Sequence, residues 1–199
     1  MQIENSVKVW DIFVRVFHWS LVLAFTLAYI TEDHFLLLHS WAGYTVLTLI
    51  SLRLIWGVIG SRHARFSDFM YRPREIKTFI KQTFKLRAKR YLGHNPAGGA
   101  MIILLLISLF MVTLTGMAVY GAAEQAGPFA AGLANSSELF QDILKEVHEF
   151  FANFTLLLVF IHVAGVVVES LIHRENLVLS MFNGYKRKSL PGESKESQS

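Results

Sequence analysis

Four histidines stand where a polar ring is expensive. His18, His39, His148 and His162 each fall in or beside a long apolar run, and an ionisable side chain in such surroundings marks a functional site by default. A neutral imidazole can relay a proton, ligate a metal or coordinate haem iron. Spacing narrows the choice. His148 and His162 are fourteen residues apart, which on a helix is about 40° short of four turns and about 21 Å along the axis. The two rings therefore share a face at two separate levels.

The elements that must hold these rings are readable from composition. Hydrophobic residues make up 53% of the 199-residue chain and charged residues 17%, below the roughly 25% of soluble domains. Residues 35–52, 95–123 and 150–168 carry no Asp, Glu, Lys or Arg, and each run is close to or above the ~18–20 residues that span a bilayer. Val16 to Ile30 forms a shorter run that Ile12 and Phe13 extend if Arg15 snorkels to the surface. Four transmembrane helices are predicted, at 12–31, 35–58, 97–121 and 147–171. A cleaved signal peptide at the first run is disfavoured by the poor small-residue site in "FTLAYITED". There is no cysteine, so disulfides, a c-type haem motif and thiolate-held clusters are excluded.

Loop charge sets the expected orientation. Residues 60–96 carry ten Lys/Arg against Asp68 and Glu75, whereas residues 122–146 carry Glu124, Glu138, Asp142 and Glu146 against Lys145 alone. The positive-inside rule puts the basic loop, and with it both termini, in the cytoplasm. Within that loop "PREIKTFIKQTFKLRAKRYLG" gathers Ile76, Phe79, Ile80, Phe84 and Tyr91 roughly on one face, with Lys and Arg on the others. This predicts an amphipathic helix lying on anionic headgroups rather than a nucleic-acid site. The expected fold is thus an all-α membrane protein, a four-helix bundle over residues 1–185 followed by a disordered cytoplasmic tail, 186–199.

Depth now pairs the histidines. His18 lies a turn or two in from the cytoplasmic side and His39 near the opposite side. The fourth helix descends, so His148 matches His39 and His162 matches His18. Two imidazoles at one depth on different helices can supply both axial ligands of a haem, and two such pairs make a path across the membrane. Zinc would want three or four ligands at one level, and here only two meet. His34 and His173 are the chief substitutes for His39 and His162. His63 and His94 lie in the basic loop.

The segments "VWDIFVRVFHW", "HSWAGY", "RLIWGVIG" and "YLGHNPAGG" resemble the bacterial cytochrome b561 family, which includes the b-type cytochrome subunit of nickel–iron hydrogenases. The resemblance covers about residues 7–185. It implies a four-helix membrane cytochrome with two b haems ligated from the first, second and fourth helices. On this chain those ligands are His18, His39, His148 and His162, the same four that depth and phase select.

Anionic haem propionates call for cations, and Arg15 and Arg53 are placed near the inner haem, where a guanidinium binds carboxylate bidentately. Gly43, four residues past His39, would let a macrocycle approach the backbone, and Gly116 could do likewise or serve helix packing. Trp10, Trp19, Trp41 and Trp56 read as interfacial anchors. Asn95 and Pro96 suit a helix start, and Glu169 suits pairing with Arg53 or proton delivery to a quinone. The expected function is electron transfer in the bacterial inner membrane. It would join a periplasmic or membrane-anchored partner (a c-type cytochrome, a hydrogenase or another oxidoreductase) to a quinone or cytoplasmic-side acceptor. The rival reading is a histidine-based proton or metal-ion transporter. A homodimer, and whether quinone turnover makes the chain an enzyme, stay open at this point.

Overall fold

The computed structural model describes residues 6–32 and 34–188. In chain order the elements are β1 (Ser6–Lys8), α1 (Ile12–Thr31), α2 (Leu36–Ile59), two single 3₁₀ turns, α3 (Pro73–Phe84), α4 (Pro96–Ala123), α5 (Ala130–Leu133), α6 (Glu138–His173), α7 (Leu177–Asn183) and β2 (Tyr185–Arg187). Four of them, α1, α2, α4 and α6, are long and apolar enough to cross a membrane, and at most 28% of any apolar window is buried. Helices that show apolar side chains nearly all round need lipid as their solvent.

Three helix starts follow from local chemistry. Asp11 Oδ1 accepts the Val14 amide at 2.8 Å and caps α1. Asn95 Oδ1 accepts the Gly98 amide at 2.7 Å, with Pro96 as the first residue of α4, as the sequence predicts. Asn176 caps α7 through the Leu179 amide, and Gly184, at φ 89°, closes it in a conformation that glycine adopts without strain.

Two spans differ from expectation. α6 begins nine residues before the predicted start at 147, because Glu138, Asp142, Lys145 and Glu146 forbid a bilayer but not a helix. α3 stops at Phe84 rather than running on to Tyr91. Leu86 takes a positive φ of 56°, and the chain returns so that Tyr91 packs on Phe79 at 5.7 Å and on Tyr71 at 6.0 Å. Only Tyr91 thus leaves the helix: Ile76, Phe79, Ile80 and Phe84 keep the spacing of one face of α3, with Phe79 buried and Ile80 and Phe84 exposed.

The chain divides into two compact units. One gathers the N-terminal segment to Val16, Ile55–Ile102 and the chain from Ile161 onward; the other comprises Phe17–Leu54 and Ile103–Phe160. In the first, β1 pairs antiparallel with β2 in the register Ser6↔Arg187, Val7↔Lys186, Lys8↔Tyr185. This ribbon joins the two ends of the described chain, and it runs past the expected domain boundary at 185. The rest of the expected tail, 189–199, lies outside the described residues. Val9, Trp10, Val14 and Ala64 form the buried cluster beneath it, with Trp56 and Met181 packed alongside.

The second unit is held by hydrogen bonds between helices, which substitute for the hydrophobic effect that lipid removes. Tyr29 of α1 donates to Asn153 of α6 at 3.0 Å. Ser108 of α4 and Thr155 of α6 share a fully buried bond of 2.6 Å.

Candidate functional site

His39 of α2 and His148 of α6 face each other within the second unit, ring centroids 6.0 Å apart and planes at 90°. Each is oriented by a neighbouring helix: His39 Nδ1 lies 2.9 Å from the Ala28 carbonyl of α1, and His148 Nδ1 lies 3.0 Å from the Val112 carbonyl of α4. A carbonyl only accepts, so both Nδ1 atoms carry a proton, and in the neutral rings both Nε2 atoms keep their lone pair. That is the tautomer a metal-ligating histidine needs, fixed by the partner of the other nitrogen. Thr115 Oγ1, 3.3 Å from His148 Nδ1, adds a further contact from α4.

Glycines shape the space around the pair. A Cβ on Gly116 would lie 2.8 Å from Cε1 and 3.3 Å from Nδ1 of His148. Gly116 thus makes room for the imidazole itself rather than for a macrocycle. A Cβ on Gly43 would meet nothing within 4 Å, leaving open space one turn from His39. The other unit repeats the feature: Gly165, three residues past His162, likewise faces open space. In the sequence, the only cue to Gly165 is its three-residue spacing from a candidate ligand.

His18 lies half-buried on α1 with Trp19 edge-on at 5.0 Å, and His162 lies half-buried on α6. They fall in different units, so their pairing rests on the sequence argument. Arg15 gives an N–H to the Phe182 carbonyl and packs against Gly184, which ties the start of α1 to the C-terminal segment. Arg53 is 3% exposed, a guanidinium sunk in a membrane-spanning helix. Among the described residues, no three His, Asp or Glu side chains are grouped so that they could hold a metal ion.

The remaining candidates have local partners. Trp10 is buried rather than lipid-anchored: its Nε1 donates to Ser180 at 3.4 Å and its ring meets His94 at 4.6 Å. His94 also meets Phe69 at 4.6 Å. Trp56 Nε1 and Ser61 Oγ both donate to Asp11 Oδ2. Burial alone would raise the Asp11 carboxyl, but these donors and the Val14 amide hold it below the usual range. Trp41 remains exposed, as an interfacial anchor should be. His63 contacts Asp68 at 2.8 Å, and Glu169 is buried between His173 (3.2 Å) and Thr83 (3.3 Å).

At the C-terminal end Glu175 forms a bidentate bond with Arg90 (2.9 and 3.1 Å) and accepts the Arg187 amide. Burial opposes ionisation of Glu175, yet Arg90 and the amide keep its carboxyl below the ordinary value. Lys186 is buried, reaches the Tyr91 carbonyl at 3.4 Å and is pushed down to about 8 by burial.

The family model described as prokaryotic cytochrome b561 matches residues 9–184. A probable Ni/Fe-hydrogenase B-type cytochrome subunit from Rhodobacter capsulatus is 26% identical, covering 92% of this chain and 82% of its own length. Subunits of the same description from Rhizobium leguminosarum bv. viciae and Cupriavidus necator are each 27% identical, over 91% and 81% of this chain and 89% and 69% of their own lengths. No solved structure matches. Four membrane-length helices, two oppositely anchored imidazoles and a match over nearly the whole chain lead to one conclusion: this protein belongs to the prokaryotic cytochrome b561 family.

Proposed function

We propose that the chain carries electrons across the bacterial inner membrane through two bis-histidine b haems. One is held by His39 and His148 on the periplasmic side, the other by His18 and His162 toward the cytoplasm. The family implies haem b and transmembrane electron transfer. The observation that carries the finer reading is the His39–His148 pair, two imidazoles from different helices with both Nδ1 atoms committed to backbone carbonyls. A bound b haem supplies one-electron exchange at iron.

The chain's own residues do the rest. The Ala28 and Val112 carbonyls hold the ligand tautomers, Gly116 seats the His148 ring, and Gly43 keeps its side of α2 clear. Apolar helices exclude water. Buried Arg53 is a cation suited to offset propionate charge near the cytoplasmic end, and Arg15 belongs to the same end. The excess of basic residues in 60–96 supports a cytoplasmic loop and cytoplasmic termini. The ribbon between β1 and β2 agrees with both ends on one side.

The relatives are named as hydrogenase subunits. This supports a hydrogenase, or another membrane-anchored or periplasmic oxidoreductase, as the redox partner, with the quinone pool or a cytoplasmic-side acceptor beyond the inner haem. Pyridine haemochrome analysis of the purified chain tests the proposal. Two haems b per polypeptide are expected, and one or none overturns it.

A further inference from the structure

α6 is longer than the membrane it crosses. Its 36 residues extend about 54 Å at 1.5 Å per residue, against a hydrocarbon core of about 30 Å. The charge-free stretch 150–168 accounts for that core. Glu138 to Glu149 is therefore an arm of about three turns standing outside the hydrocarbon core, and its first turns clear the headgroups as well.

The arm has three faces. Gln141, Leu144 and His148 are half-buried and turn inward. Leu139, Ile143 and Val147, at i, i+4 and i+8, form an exposed apolar stripe, with Leu139 70% and Ile143 50% accessible. Glu138, Asp142, Glu146 and Glu149 form an exposed acidic stripe beside it. Lys145 is the sole cation on the arm and reaches Glu149 at 3.7 Å, so three carboxylates are left uncompensated.

Apolar side chains outside the hydrocarbon core need a cover, and charge decides which. An anionic lipid surface repels the acidic stripe. A second copy of the chain offers the same acidic arm on this side, and its basic loop, residues 60–96, lies one membrane crossing away by chain order. Neither can neutralise the arm. We propose that the arm of α6 is the docking surface for a separate extramembrane redox protein, one whose contact face carries Lys and Arg around an apolar centre. The inference rests on the electron-transfer reading above and names the surface at which that electron enters or leaves. His148 sits on the inward face of the same three turns, so a partner docked on the arm stands beside the outer ligand pair. Opposite charge also steers encounter and makes its rate fall with salt.

The test uses the full chain in nanodiscs and a basic water-soluble c-type cytochrome as probe. Binding is followed by fluorescence anisotropy of labelled probe, and electron transfer by stopped-flow over a range of ionic strength. The triple variant Glu138→Gln, Asp142→Asn, Glu146→Gln should weaken binding tenfold or more and flatten the salt dependence. Leu139→Ser with Ile143→Ser should raise the dissociation rate with the salt dependence kept. Haem content and the dithionite-reduced spectrum should be unchanged in both. Equal binding and equal salt dependence in the triple variant overturn the docking surface while leaving the haem reading intact. A wild-type chain that binds the probe but holds no haem overturns the electron-transfer reading and leaves the surface standing. A shift from dimer to monomer in Leu139→Ser with Ile143→Ser assigns the stripe to a second copy and overturns the separate partner.

Discussion

His39 and His148 face one another at 6.0 Å with perpendicular rings, and each is held at Nδ1 by a carbonyl of another helix, Ala28 of α1 for His39 and Val112 of α4 for His148. Both lone pairs at Nε2 are therefore presented by rings whose tautomer the fold has already chosen. Replacing either ring removes one half of the proposed two-ligand set and leaves the other half intact.

Selective loss is the first expected outcome. His39→Ala and His148→Ala should delete the same component of the reduced-minus-oxidised spectrum, and His18→Ala and His162→Ala the other. His94→Ala and His173→Ala should keep both haems, since His94 is packed between Trp10 and Phe69 and His173 against Glu169. Haem stoichiometry of the six variants checks this. The pairing fails if His18→Ala and His39→Ala remove the same haem.

Gly116 and Gly43 should respond in opposite ways. At Gly116 a methyl would lie 2.8 Å from a ring that cannot retreat without breaking its bond to Val112. Gly116→Ala should destabilise the haem-depleted chain by about 1–3 kcal/mol and lower outer-haem occupancy. At Gly43 nothing lies within 4 Å, so Gly43→Leu should leave haem-free stability level or slightly higher, because glycine costs a helix about 0.5–1 kcal/mol. Its haem content should nevertheless drop. Thermal unfolding of haem-depleted protein, set beside haem content, separates the two effects.

Topology is checked with reporter fusions. A reporter inserted near Lys85 should behave as cytoplasmic and one near Asn135 as periplasmic, because the basic residues cluster in 60–96. The reverse pattern would exchange the sides of the two ligand pairs and move the α6 arm into the cytoplasm.

Lys186 should make stability depend on pH in the alkaline range. Burial lowers its folded-state value to about 8 from the ordinary 10.5. Between those values the unfolded chain binds more protons than the folded one, so stability should rise with pH across that window. The gain from pH 7.5 to 9.5 is on the order of 1–2 kcal/mol, visible as a higher Tm in detergent. Lys186→Met should lose that dependence. An equal pH response in both proteins would mean that another group is responsible.

Much of the membrane architecture was legible because lipid imposes a simple rule on sequence. A span needs about twenty predominantly apolar residues, and α1, α2 and α4 fall within two residues of the spans predicted at 12–31, 35–58 and 97–121. The ligand candidates were legible for the same reason, since a histidine in an apolar run stands out and helical phase is arithmetic. The cap at Asn95 was legible too, because capping depends on neighbours three residues away.

What tertiary structure alone decided involves residues far apart in the chain. Trp10 looked like an interfacial anchor until Ser180, 170 residues later, and His94 enclosed it. Three-residue strands carry no periodicity to read, so β1 and β2 exist only because their pairing joins the two ends. The overlong α6 hid its first turns behind charges that a span criterion rejects and a helix accepts. Sequence also marked His39 and His148 as polar groups in an apolar run, but their usable nitrogens depend on the Ala28 and Val112 carbonyls. Composition and phase are local quantities that one segment can express. A tautomer, a buried indole or a two-strand pairing depends on which other segment arrives beside it, and that is settled only when the helices pack.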